Sequence, residues 1–305
     1  MIVKKIKICI LGADGQVGKE FRNLHQSYEY MSFDFFSKTD CDITNEESVK
    51  TALNVEEFDY VINCAAYTAV DKAESDQEKC FLINAAACKY ICEAILGRPV
   101  RLIHFSSDYV YHTFNGFPLR ETDSTEPVGI YAQSKLEGEN IIRACGVEAL
   151  ILRTSWVVSS FGHNFVKTML GLGKEKSELR VVNDQLGTIT YARHLAVAVL
   201  DIITSLTSEH ADKDIFNQTY NFSSEGITSW YDIANEIMQE AELSCRVLPV
   251  STSAYPTAAV RPKWSVMAKN KIREAFGLEM PHWHKALKEC MEAIKTEVES
   301  SDIKS

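Results

Sequence analysis

Short apolar runs alternate with amphipathic segments through the first 185 residues of this 305-residue chain. Four runs are too short and too uniformly apolar for strands with a solvent-facing side, and they are typical of buried parallel strands. We predict strands at residues 6–11, 60–63, 101–105 and 150–153, and helices at 77–96 and 132–144. This alternation predicts an α/β fold with a Rossmann-type, doubly wound parallel sheet.

The pattern loosens beyond about residue 185, where helices are predicted at 192–205, 230–241 and 283–298. We expect two regions in the folded chain. A sheet domain is assigned to residues 1–155 with about 179–220, and a smaller, discontinuous α/β region to about 156–178 and 221–298. Residues 299–305 are polar and are expected to fray.

Charge and composition narrow the range of partners. The chain carries 32 Lys and Arg against 42 Asp and Glu, a formal charge of -10. This is the wrong sign for a protein that neutralises many phosphates of a nucleic acid, so we expect no nucleic-acid partner. A local basic pocket for a smaller anion stays open, and 46% hydrophobic residues argue against disorder.

The nine cysteines are scattered singly, without a C-x-x-C pair, and are interpreted as reduced core residues. His282 and His284 are two residues apart on a predicted helix and point to different sides, so no metal is expected. The first apolar run stops at Gly12 with no cleavage site, and no run approaches the roughly 18 residues of a membrane span. We therefore expect a soluble, cytoplasmic protein without a membrane partner.

A glycine-rich turn follows the first predicted strand and opens a helix. Residues 12–18 carry a G-x-x-G-x-x-G pattern. Its glycines are Gly12, Gly15 and Gly18, and the positions between them are Ala13, Asp14, Gln16 and Val17. Glycine lets the backbone turn sharply and approach a pyrophosphate, and the free N–H groups of the helix bind the anion. The position between a strand and a helix predicts a dinucleotide site.

The choice between NADH and NADPH depends on the end of the second strand. Asp34 lies 22 residues after Gly12, where a carboxylate would bind the adenosine ribose and repel a 2′-phosphate, which favours NAD. Lys38 is close by and could pair with that phosphate instead. Asp42 and Ile43 are expected to flank the adenine.

A Y-x-x-x-K pair, Tyr131 and Lys135, begins the helix predicted at 132–144 and places both side chains on one face. A free tyrosine has a pKa near ~10, and a nearby ammonium group would lower that pKa. Ser107 follows the strand predicted at 101–105, 24 residues before Tyr131. Ligands of open α/β sheets bind at the carboxyl ends of the strands, so we expect these three side chains to meet there.

Together these motifs resemble the extended short-chain dehydrogenase/reductase superfamily. Longer runs are similar to one family within it, the dTDP-4-dehydrorhamnose reductases that complete dTDP-L-rhamnose synthesis. These runs are residues 11–18, 63–74, 107–110, 153–157, 164–169, 182–185, 252–257 and 261–262. The resemblance covers nearly the whole chain in order.

The resemblance implies an NADPH- or NADH-dependent reduction of a nucleotide-linked 4-keto sugar. Tyr131 would be the general acid and Lys135 its partner and a ligand of the nicotinamide ribose, and Ser107, assisted by Asp108, would orient the carbonyl. The sheet domain would bind the cofactor and the smaller region the sugar. Further cofactor contacts would come from Ala65, Ala66 and Thr68, and further substrate contacts from Val70, Trp156 and Arg261.

Some positions depart from the family pattern. Ser107 replaces the usual Thr and keeps the hydroxyl, whereas Tyr67, Ile189 and Lys263 differ near the expected sugar pocket and leave the exact sugar open. Reduction of dTDP-4-dehydro-L-rhamnose is the leading hypothesis. The alternatives are a reductase of another nucleotide-linked 4-keto sugar and a non-catalytic subunit that resembles the β subunit of methionine adenosyltransferase. The sequence leaves open whether the protein forms a homodimer.

Overall fold

The computed structural model describes residues 5–114, 116–207 and 215–302. Its strands are β1 Ile6–Leu11, β2 Met31–Phe36, β3 Tyr60–Asn63, β4 Arg101–Ser107, β5 Ala149–Thr154, β6 Val157–Val158, β7 Glu178–Val182, β8 Leu186–Gly187, β9 Thr190–Tyr191, β10 Gln218–Phe222, β11 Thr228–Ser229 and β12 Arg246–Val250. Its α-helices are α1 Gln16–Leu24, α2 Glu46–Asn54, α3 Val70–Ala73, α4 Gln77–Phe81, α5 Ala87–Ile95, α6 Ile130–Ala144, α7 Phe165–Glu175, α8 Ala192–Ser205, α9 Trp230–Glu240, α10 Asn270–Phe276 and α11 Trp283–Asp302. A π-helical turn, Leu82–Ala86, joins α4 to α5.

Within the described residues, six parallel strands form the central sheet in the order β10-β5-β4-β3-β1-β2. The predicted Rossmann-type α/β fold is confirmed. The chain passes from β2 at one edge to β3 on the other side of β1, so the topological switch point lies between β1 and β3. Leu11 and Asn63 are in register there, and the chain leaves both strands side by side. In open α/β sheets, ligands bind in this crevice.

The predicted strands were recognisable because the sheet is covered on both faces. All residues of β3 and β5 are buried, and apolar clusters cover the two sides of the sheet. The structure extends the strand predicted at 101–105 to Ser107 and begins α6 at Ile130. It also continues the last helix to Asp302, so the expected polar tail is helical as far as that residue, and 303–305 lie outside the described residues.

The smaller region has its own apolar core, formed by α7, α9 and α11 with β7 and β12. The contacts of two segments differ from the division expected from the sequence. Residues 178–191 belong to this region, because β7 pairs in parallel with β12 and its alternate side chains join that core. Residues 270–280 instead pack on the sheet domain, where Ile272 and Met280 are buried beside β10.

Among the described residues, no helix has the length and apolar character needed to cross a membrane.

Candidate active site

The glycine turn forms a narrow backbone cradle at the switch point. Gly12 has φ +73°, and a Cβ on it would lie 2.6 Å from the backbone N of Ala65. A Cβ on Gly18 would lie 2.5 Å from the Gly12 carbonyl oxygen. Helix α1 begins immediately after Gly15, with no acidic side chain in its first turn. The cradle therefore accepts only glycine at these positions and fits the phosphates of a dinucleotide at the helix N-terminus.

The other predicted side chains of this turn have separate surroundings. Gln16 lines the large pocket beside the turn and accepts a hydrogen bond from Asn164 Nδ2 at 3.0 Å. Val17 packs against the core beneath the sheet, while Asp14 is exposed. Ala65 faces Gly12 across the crevice, and Ala66 is exposed beside it.

Asp34 does not lie at the end of β2, so the premise of its predicted contact with the ribose is wrong. It is the fourth of six strand residues, and β2 continues to Phe36 because all six pair in register with β1. Burial, with the nearby Glu56 carboxylate, raises the pKa of Asp34, and Lys7 opposes this. Ser37 and Lys38 follow the strand instead, and the predicted choice between a contact of Asp34 with the ribose and a contact of Lys38 with a phosphate stays open.

Asp42 and Ile43 organise the loop that follows. Asp42 Oδ1 accepts hydrogen bonds from the backbone N of Thr44 at 3.0 Å and from its hydroxyl at 2.7 Å, and these bonds lower the pKa of Asp42. The side chain of Ile43 is buried in the core. Both residues therefore have structural roles that sequence reasoning did not predict, and their contact with adenine stays a prediction.

The predicted catalytic side chains meet at the carboxyl end of β4. Ser107 ends the strand and donates a hydrogen bond to Asp108 Oδ1 at 3.0 Å. Tyr131 stands in the first turn of α6, and all three line one pocket of about 720 Å³. Lys135 lies one turn further along α6, buried beneath the pocket. Thr68, Val70, Trp156 and Arg261 line the same pocket, and the cofactor and substrate contacts that the resemblance implies for them stay predictions.

The ionisation of Tyr131 differs from the prediction. Burial raises its pKa above the usual value, and a hydrogen bond with Ser107 opposes that rise only in part. Lys135 does not lower this pKa, because its ammonium group donates to the Phe105 carbonyl oxygen at 2.6 Å. Burial also raises the pKa of Asp108, to about 6. Tyr131 is consequently a protonated phenol throughout the neutral range, which is the form that a general acid needs.

An aromatic wall closes the far side of the pocket. Trp156 has φ +46°, and its ring stacks on Trp230 with 3.9 Å between centroids and 16° between planes. Phe165 packs against Trp230 at 4.6 Å. A Cβ on Gly187 would lie 2.7 Å from the Trp156 ring, so glycine is needed there to admit it. Ile189, one of the departures from the family pattern, thus lies two residues after a glycine that this ring requires.

Arg261 is held by a carboxylate that sequence analysis missed. Its two terminal nitrogens donate to Asp71 at 3.1 and 2.5 Å, and Asp71 also accepts from the backbone N of Ala259 at 3.1 Å. The guanidinium lowers the pKa of Asp71. Asp71 stood in a recognised run, next to Val70, but its partner is 190 residues away. No local pattern reveals such a pair.

The positions expected to select the sugar do not line this pocket. The Tyr67 hydroxyl donates to Asp76 Oδ2 at 3.2 Å, Ile189 is fully buried in the smaller core, and Lys263 is exposed. Their side chains therefore do not contact this pocket directly, and their influence on the choice of sugar stays a prediction. Side chains that line the pocket and were not predicted include Tyr109, Phe165, Met169, Arg180, Gln185 and Trp230.

Comparison with known proteins agrees with this geometry. Residues 6–296 match the family model described as the RmlD substrate binding domain. The chain is 35% identical to dTDP-4-dehydrorhamnose reductase of Aggregatibacter actinomycetemcomitans, covering 92% of this chain and 97% of that one, and 36% identical to the Escherichia coli (strain K12) protein of the same name, covering 95% and 99%. The crystal structure of dTDP-4-dehydrorhamnose reductase from Bacillus anthracis str. Ames in complex with NADP superposes with a TM-score of 0.87, at 34% identity and with 94% and 99% of the two chains covered. The chain belongs to the dTDP-4-dehydrorhamnose reductase family.

Proposed function

We propose that this chain is an NAD(P)H-dependent oxidoreductase that reduces dTDP-4-dehydro-L-rhamnose to dTDP-L-rhamnose, in the biosynthesis of cell-surface polysaccharide. The observation that carries the proposal is the position of Ser107 and Tyr131. Both side chains line a pocket that adjoins the glycine cradle. The Arg261 guanidinium lines the same pocket. The relatives named above carry the activity in their names.

The glycine cradle and its surroundings fit NADPH or NADH. Gly12, Gly15 and Gly18 leave the backbone open to a pyrophosphate, and the α1 N-terminus supplies N–H donors. Ala65, Ala66 and Thr68 would line the nicotinamide half, with Lys135 beneath its ribose. When bound, the dinucleotide supplies the hydride that reduces the C4 carbonyl. The sheet domain is therefore the cofactor domain in this proposal.

Tyr131 is the general acid. Its phenol is protonated at neutral pH, since a free tyrosine already has a pKa near ~10 and burial raises it further, so it can donate the O–H proton to the carbonyl oxygen as that oxygen gains negative charge. In the structure Ser107 donates its one O–H to Asp108 Oδ1, and with substrate bound it would donate that hydrogen to the carbonyl oxygen instead and fix its position. The reaction needs a proton on Tyr131 at the start, and the buried site provides it.

The smaller region would bind the nucleotide. Arg261 presents a planar guanidinium that suits a diphosphate, and Asp71 fixes its orientation. Val70 and Trp156 would contact the sugar and the adjoining part of the nucleotide. This arrangement explains how a chain with a formal charge of -10 binds two polyanions, since each meets a local cation or a helix terminus.

The decisive experiment is an assay of NADPH and NADH oxidation by the purified protein with dTDP-4-dehydro-L-rhamnose. We expect turnover and dTDP-L-rhamnose as the product. Turnover only with a different nucleotide-linked 4-keto sugar would reassign the substrate. Nucleotide binding without any turnover, together with a stable complex with a synthetase, would instead indicate a regulatory subunit.

The proposal also covers the cellular location of the protein and its oligomeric state. All nine cysteines lie in the described residues and are free thiols, which suits the reducing cytoplasm where we place the protein. A homodimer stays a prediction, and light scattering at several protein concentrations tests it.

A further inference from the structure

A buried histidine lies directly behind the proposed catalytic pair. His104 is the fourth residue of β4 and only 1% exposed. Its Nε2 is 3.5 Å from the Lys135 Nζ, and its Nδ1 is 3.2 Å from the Asn63 Nδ2. No role assigned above uses this ring, although it contacts the lysine of the Y-x-x-x-K pair.

The hydrogen bonds of Asn63 determine which ring nitrogen carries the proton. The backbone N of Ala65 donates to Asn63 Oδ1 at 3.1 Å, so the amide oxygen faces Ala65 and the amide nitrogen faces His104. Because an amide nitrogen only donates, Nδ1 of His104 must accept. A neutral imidazole has one N–H, which then resides on Nε2 and faces Lys135.

An Nε2–H group is an unfavourable neighbour for an ammonium ion and a favourable one for a neutral amine. Lys135 Nζ already donates to the Phe105 carbonyl oxygen at 2.6 Å, and a neutral amine can do this while its lone pair accepts from Nε2–H. Burial lowers the pKa of Lys135, and burial together with Lys135 holds the pKa of His104 well below its usual value. Both shifts have the direction that this arrangement requires.

The other titratable groups around Lys135 carry no competing free charge. Cys80 and Cys88 face it from the preceding helices, and burial raises both thiol pKa values, that of Cys88 to about 12. Glu139 is on the same helix, and its carboxylate binds Arg153 through bonds of 2.9 and 2.7 Å. His104 is thus the neighbour whose proton position decides how Lys135 is solvated.

We propose that Asn63 fixes His104 as the Nε2–H tautomer, and that His104 is a positioning residue which favours the neutral amine of Lys135. The ammonium form of Lys135 gives up one proton to solvent, and the resulting amine keeps its donor bond to the Phe105 carbonyl oxygen while its lone pair accepts from His104 Nε2–H. This role in turnover rests on the proposed function.

The tautomer is measured directly by 15N NMR of histidine-labelled protein, with the His104 signals assigned by their loss in His104→Gln. We expect a neutral Nε2–H ring at pH 7 that stays neutral well below pH 6.5. In Asn63→Asp, the carboxylate accepts from both Ala65 N and the ring, so His104 should change to Nδ1–H. Exposed Asn140 on α6 gives a matched control, Asn140→Asp, which should leave the tautomer unchanged. An Nδ1–H or charged ring in the wild type overturns the proposal whether or not the protein is a reductase.

The consequence for Lys135 is measured in the pH dependence of kcat/KM. Both His104→Gln and Asn63→Asp place an acceptor in front of Lys135 and should raise the pKa of its ammonium, moving the corresponding midpoint upward by about one pH unit. The KM for the nucleotide sugar should change little. A shift in Asn63→Asp alone would be an effect of its added charge and would overturn the role of the tautomer.

Discussion

In the proposed reaction, Tyr131 would donate its proton from a buried position near Ser107 and Asp108, where burial raises its pKa, rather than from beside a free ammonium group. The spacing of Y-x-x-x-K correctly placed Tyr131 and Lys135 on one helix face. It could not reveal that Lys135 turns to the Phe105 carbonyl, because that contact depends on the packing of α6 against β4. Residue types and spacing thus predicted which side chains lie together, whereas the direction of the Lys135 side chain depends on tertiary packing.

Replacement of Tyr131 by Phe removes the proton donor and keeps the ring. We expect kcat to fall by about 10³-fold while NADPH binding, measured by calorimetry, stays within a factor of a few. Ser107→Thr is the matched variant that retains a hydroxyl, and it should keep most of the activity. Near-normal turnover in Tyr131→Phe would remove Tyr131 from the catalytic role.

At the level of elements, α6 is fixed to the sheet by a buried ion pair. Glu139 is fully buried and binds the guanidinium of Arg153, which also donates to the Tyr111 hydroxyl at 2.6 Å. The positions of this helix and strand along the chain were predictable from the periodicity of apolar residues. The ion pair between Glu139 and Arg153 was not predictable, because a charged residue in an apolar pattern does not indicate which residue it will bind.

Glu139→Gln leaves Arg153 buried without its counter-charge and should lower the free energy of unfolding by about 3 kcal/mol. Glu137→Gln, exposed on the same helix, should change it by less than about 0.5 kcal/mol. Arg153 holds the pKa of Glu139 below its usual value. The stabilisation is therefore present above the unfolded pKa of about 4.3 and is lost as the pH falls through the lowered pKa. Urea denaturation at pH 7 and pH 3.5 measures both effects, and an equal loss for the two glutamates would contradict the assignment.

The π-helical turn between α4 and α5 shows why helix prediction was incomplete. It places Asn84 so that its Nδ2 donates to Ser134 Oγ at 3.0 Å and to the Tyr67 carbonyl oxygen at 3.1 Å. Periodicity over 77–96 predicted a helix and gave no sign of the wider turn, since a single π turn changes the apolar spacing by one residue. The turn joins α6 to the residues that follow β3.

The glycine cradle gives a second test at this scale. In Gly18→Ala the new Cβ would lie 2.5 Å from the Gly12 carbonyl oxygen, so the turn must open and cofactor binding should weaken strongly. Gly171→Ala is the matched control, because Gly171 lies inside α7 with open space around it. There alanine should raise stability by about 0.5–1 kcal/mol and leave cofactor binding unchanged. Calorimetric titration with NADPH and thermal unfolding separate the two outcomes, and unaltered affinity in Gly18→Ala would place the phosphates elsewhere.

For the whole molecule, the two regions are joined beside the active site by segment 159–164, which lies across α1. The Ser159 hydroxyl donates to the buried Glu20 Oε1 at 2.7 Å, and Asn164 Nδ2 donates to Gln16 Oε1 at 3.0 Å. Asn164 also accepts from the backbone N of Lys167 through Oδ1 and so caps α7. One side chain therefore connects α1, which follows the glycine cradle, to α7, which carries part of the pocket lining.

Asn164→Asp separates these two roles, because aspartate still caps α7 but cannot donate to Gln16 or to the Ser159 carbonyl oxygen. We expect a loss of about 1–3 kcal/mol in unfolding free energy and a higher KM for the nucleotide sugar, since the α7 side chains that line the pocket lose their anchor. Asn45→Asp is the control with the same substitution at another helix cap, where Oδ1 accepts from Ser48 N. Equal stability and KM in Asn164→Asp and Asn45→Asp would mean that the connection to α1 contributes nothing. A change confined to Asn164→Asp would show that the two halves of the site depend on each other through this residue.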